Sequence, residues 1–118
     1  MSNKAALKKF TKIAANSRKQ IDIFRDDLAN DPARALIWGT SAFEHAARIS
    51  VAEMLIYCFT EREGEPTFTI EQARKTLLDR VINKSLYPAR STSPTSNLME
   101  QCESAACAEA LVELKEFE

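Results

Sequence analysis

Histidine occurs once in this chain of 118 residues, glycine twice, cysteine three times and proline four times. Each shortage removes a class of explanation. His45 is the single imidazole, and it stands 13 residues before Cys58 on one helical stretch. That separation is about 20 Å along a helix axis, too far for a nucleophile and its base. Helix-borne metal sites want a second ligand three or four residues from a histidine, but Ser41, Ala42, Arg48 and Ile49 hold those positions. No metal and no cofactor is expected, and no glycine-rich phosphate loop is present. Cys58, Cys102 and Cys107 are an odd set with no leading apolar stretch before them. They read as reduced, small core hydrophobes, and a cytoplasmic compartment is the expectation. The longest apolar run, Ile49 to Phe59, covers 11 residues and includes Ser50 and Glu53. It falls well short of the roughly 20 that cross a bilayer.

What remains is an ordinary globular composition, 45% hydrophobic and 28% charged, with a net charge of -1. A chain of this size buries enough surface to fold as one domain around one core. Its charge is unevenly placed. The first 25 residues carry seven cations (Lys4, Lys8, Lys9, Lys12, Arg18, Lys19, Arg25) against Asp22. From Ser96 onward six glutamates (Glu100, Glu103, Glu109, Glu113, Glu116, Glu118) stand against Lys115.

Periodicity predicts helices throughout. Leu7, Phe10, Ala14, Ser17, Ile21, Phe24 and Leu28 recur at steps of three and four, which places them on one face of a helix over 3–30. Asp31-Pro32 caps and opens a short helix over 32–38, because Gly39 is costly inside a helix and Ser41 to Glu44 reads as a capping box. A kink without a break is the alternative. The stretch 41–62 is apolar nearly all round the wheel and belongs at the centre of a bundle, with Gly64 as its stop. Thr69 and Gln72 form a second capping box for a helix over 69–86. The Ser/Thr- and Pro-rich stretch 88–97 reads as a mobile loop, and Asn97 with Glu100 opens a last helix over 97–117. The fold class is therefore all-α: a compact single-domain bundle of four long helices plus one short helix.

Basic residues at the start of the first helix and acidic ones at the end of the last oppose each helix's own dipole. Antiparallel packing of the two ends would let Lys4, Lys8 and Lys12 meet Glu109, Glu113 and Glu116. Glu53 interrupts the apolar central helix and Arg74 projects among Ile70, Leu77 and Val81, so a buried interhelical pair between them is expected. Trp38 reads as a core plug under the short helix, with an interface anchor as the alternative.

No catalytic group emerges, and the chain reads as a non-enzymatic protein-binding module: an adaptor, inhibitor or accessory subunit acting through charged helix faces. The candidate contacts are Lys4, Lys8, Lys9, Lys12 and Lys19 on one face and Glu109, Glu113 and Glu116 on another. The alternative is a nucleic-acid-binding protein, or a small subunit of a ribonucleoprotein complex, whose first helix tracks phosphates. A homodimer is a further option, because a central helix apolar on every side needs covering from every direction.

Overall fold

The computed structural model describes residues 3–65, 67–86 and 94–117. Four helices carry the chain: α1 (Asn3–Asn30), α2 (Ala35–Phe59), α3 (Ile70–Leu86) and α4 (Pro94–Leu114), with single 3-10 turns at Pro32–Arg34 and Lys115–Phe117. Among the described residues no helix is long and apolar enough to cross a membrane.

α2 packs against α1 on one side and α4 on the other, and α3 lies against α4. The side-chain pairings give the directions. The Phe24 ring meets His45 at 5.8 Å between centroids, and Arg18 pairs with Glu53, so α1 and α2 are antiparallel. Lys84 reaches Glu100 and Arg80 reaches Glu103, so α3 and α4 are antiparallel too. Phe43 and Met99 line one cleft while Arg48 binds Glu109 further along, so α2 and α4 run in the same direction. The four helices thus alternate up and down around one core. Its largest fully buried side chains are Phe10 of α1, Leu55 and Phe59 of α2, Leu77 of α3, and Cys107 and Leu114 of α4.

Local chemistry explains most of the ends. Asp31 Oδ1 accepts from the Ala33 amide at 3.2 Å and starts the first 3-10 turn. The Thr69–Gln72 box closes in both directions: the Gln72 amide donates to Thr69 Oγ1 at 3.1 Å, and the Thr69 amide donates to Gln72 Oε1 at 2.9 Å. Gly64, at φ 77°, takes the third position of a turn closed by the Glu65 amide on the Arg62 carbonyl at 3.2 Å.

Several expected boundaries move. The short helix is only the 3-10 turn Pro32–Arg34, and α2 runs without a break from Ala35 through Gly39 and Ser41. The Ser41–Glu44 box is therefore helix interior, because one glycine costs about 1 kcal/mol relative to alanine and the packing of α2 outweighs it. α2 ends at Phe59, so Gly64 shapes the following turn and does not cap the helix. α4 begins at Pro94, ahead of Asn97, since a proline in the first helical turn loses no hydrogen bond. Residues 88–93 of the expected loop lie outside the described residues, as does the Trp38 side chain. α2 is also not sheathed all round: Ala46, Ser50, Glu53 and Tyr57 are exposed along one strip.

Candidate interaction surface

α1 presents its apolar stripe to α2, with Ala6, Phe10, Ala14, Ser17 and Phe24 buried. Residues half a turn away must then face outward. Counting 100° per residue from Phe10, the residues Lys8, Lys12, Lys19 and Asp26 fall between about 160 and 200°, with Ala15 and Asp22 beside them. All six are exposed. The row reads cation, cation, cation, then anion, anion along about 27 Å of helix.

Several of the other charged groups are engaged within the chain. Lys9, on the flank of α1, lies 2.5 Å from Glu113 Oε2 and 2.5 Å from Glu116 Oε1. Those carboxylates, Glu113 foremost, hold its ammonium above the ordinary lysine value. Arg48 of α2 takes Glu109 with Nε donating to Oε2 at 2.9 Å and Nη2 to Oε1 at 3.2 Å. Each glutamate of the candidate acidic face, Glu109, Glu113 and Glu116, thereby has an internal partner in Lys9 or Arg48. The beginning of α1 and the end of α4 do meet, but through Lys9. Among the described residues no ion pair joins Lys8, Lys12 or Lys19, and Lys4 is exposed at the N-terminal end of the same side.

The expected Glu53–Arg74 pair is a correction. Glu53 is exposed and pairs with Arg18 of α1. Arg74 binds Glu71 one turn earlier on its own helix, Nη2 to Oε1 at 2.6 Å, which holds the Glu71 carboxyl below its usual value. The reason is rotational. Glu53 falls on the uncovered strip of α2 with Ala46, Ser50 and Tyr57, where water solvates it and no buried partner is needed.

A polar network absent from the sequence reading crosses three helices. Ser17 Oγ of α1 stands 3.3 Å from His45 Nδ1 of α2, and Arg48 Nη1 stands 3.4 Å from that same nitrogen. Arginine only donates, so Nδ1 accepts and the neutral ring carries its proton on Nε2. Burial, then the Arg48 charge, holds the imidazole below its ordinary value. Ser17 is 3% exposed, and Arg48 stands at the same ring nitrogen that Ser17 faces. The arrangement ties α1 to α2 and, through Arg48, to Glu109 of α4. A sign was present in the sequence, since Ser17 is the one hydroxyl in the apolar stripe of α1. What it would meet depended on which helix lay opposite.

A cleft of about 420 Å³ lies between α2 and α4, walled by Glu44, Arg48 and Glu109 over Cys102 and Ala106. Its single cation is already bridged to Glu109, with Glu44 4.0 Å away. Burial pushes the thiols of Cys58, Cys102 and Cys107 upward, which keeps them protonated near neutral pH. No family model, curated protein or solved structure matches this chain.

Proposed function

We propose that this chain is a non-enzymatic protein-binding module whose docking face is the outward side of α1. One observation carries the reading: among the described residues Lys8, Lys12 and Lys19 stand in one exposed row without counter-ions, while the glutamates of α4 are engaged by Lys9 and Arg48. Charges left unpaired beside others that are paired suit complementary charge on another molecule, which would steer encounter and set register more than it would add affinity. The α4 glutamates drop out of the docking role and become internal braces.

A phosphate track along the same lysines is the second reading. Three cations in a row would neutralise a few phosphates, and their contribution would fall steeply with salt. Asp22 and Asp26 continue the row with the opposite sign, however, and a polyanion laid along α1 would run into them. A protein surface with matched charges of both signs meets no such conflict.

Affinity capture from host lysate with the wild-type chain and with Lys8→Glu, Lys12→Glu, Lys19→Glu combined tests the proposal. Proteins bound by the wild type, lost with the variant and indifferent to nuclease support it. Binding abolished by nuclease supports the phosphate track. An identical set of proteins on both chains would overturn the docking role of α1.

A further inference from the structure

The charged row on α1 is complementary to itself when reversed. Laid antiparallel against a second copy and centred on position 17, Lys8 faces Asp26 of the second copy and Lys12 faces its Asp22, while the two-fold axis repeats both pairs. Lys19 then faces Ala15 of the second copy. We propose that the outward side of α1 is a self-docking surface, and that its occupant is another copy of this chain seated antiparallel along the same helix. The inference rests on α1 being the docking face and names what it docks.

A two-fold interface must use one patch twice, so any residue that attracts has to find its opposite on the same patch. A uniformly basic ridge cannot do this. A row with cations in its first half and anions in its second can, and the two halves here are equidistant from a common centre. All the paired residues are exposed. Among the described residues Asp22 is held only by Arg25 on its own helix at 3.4 Å, with both side chains more than half exposed, so it can exchange that partner for Lys12. Ala15 offers the small side chain that lets two helices approach to 8–10 Å near the axis. Ile23, 55% exposed, sits opposite Thr11 of the second copy and gains cover from the stems of Lys8 and Lys12. A single helix pair is at the small end of specific interfaces and its charge pairs are surface pairs, so association is weak and salt-sensitive.

Lys19 gives the surface a distinctive sign. The two Lys19 side chains lie about 6 Å apart along the axis on either side of the centre, and they repel. Removing that charge therefore strengthens self-docking, whereas it would weaken attachment to an acidic partner or to phosphate.

Sedimentation equilibrium of the purified chain across a concentration series tests this, at low ionic strength and at roughly 0.5 M salt where charges are screened within a few ångströms. We expect a monomer–dimer equilibrium at low salt that fades at high salt. Lys8→Asp with Lys12→Asp, and separately Asp22→Lys with Asp26→Lys, each weaken it at least about tenfold, since every cross pair becomes repulsive. An equimolar mixture of the two variants regains the dimer, which an unfolded variant could not do. Lys19→Ala tightens association. Absence of self-association at low salt, failure of the mixture to recover it, or weakening by Lys19→Ala would each overturn the proposal. The Asp22→Lys, Asp26→Lys chain keeps all three lysines. If it still captures an acidic protein while the wild type stays monomeric, the self-docking falls and the docking role of α1 stands.

Discussion

Arg48 holds Glu109 through two parallel hydrogen bonds, 2.9 and 3.2 Å long, and turns a third nitrogen toward His45 Nδ1 at 3.4 Å. One guanidinium thereby braces α2 against α4 and completes the polar contact of α2 with α1. Glu109→Gln leaves its volume unchanged and removes the charge. Because the Glu109 side chain is 52% exposed, the expected loss is modest, about 0.5–1 kcal/mol, read from the denaturant midpoint at low salt. At high salt the difference shrinks. A loss that salt leaves unchanged would mean that packing, not charge, holds the two helices there.

His45 makes the fold sensitive to mild acid. Its folded value lies below the ordinary 6.5, because burial and then the Arg48 charge penalise the imidazolium. Above about 6.5 the ring is neutral in both folded and unfolded states. As pH falls below that, the unfolded chain takes up the proton first, so stability declines and levels off beneath the folded value. Since the chain has no other histidine, His45→Gln should flatten the stability profile between pH 7.5 and roughly 5.5. A slope that survives the substitution would remove His45 as its source.

The two glycines should respond to alanine with opposite signs. At Gly39 a Cβ meets nothing within 4 Å, and the residue is helical. Gly39→Ala is therefore expected to stabilise by about 0.5–1 kcal/mol through helix propensity and a stiffer unfolded chain. Gly64 also has open space, but its φ of +77° strains any L side chain. Gly64→Ala should cost about 1–2 kcal/mol. Thermal melts of the two variants beside the wild type settle the pair, and destabilisation at Gly39 would show that α2 bends there.

Thiol labelling reports on the core. Cys107 is 0% exposed and Cys102 is 7% exposed, while Cys58 is partly covered, and burial raises all three thiols. Under native conditions at pH 7.5 an aromatic disulfide reagent should modify Cys58 slowly and leave Cys102 and Cys107 intact. All three react in denaturant. Rapid native labelling of Cys107 would mean that α3 and α4 separate readily.

Legibility followed the range of the interactions. The Thr69–Gln72 box and the apolar stripe of α1 depend on residues within a few positions of each other, and both are present as the spacing implied. Gly39 misled because local propensity argued for a break while the packing of α2 on its two neighbours argued against one. Glu53 and Arg74 misled for a related reason. Each was recognisably a charge in an apolar setting, but Arg18 and Glu71 turned out to be the groups within reach.

Helical periodicity, the two-sided charge row of α1 and the scarcity of histidine and glycine were determined by the sequence alone, because a helix places side chains by count. Tertiary structure decided which charges found partners. Lys9 and Lys8 are adjacent in the chain, yet one lies between Glu113 and Glu116 while the other faces water. A rotation of 100° between successive residues separates them, and only the packing of α1 against the bundle determines which of the two turns inward.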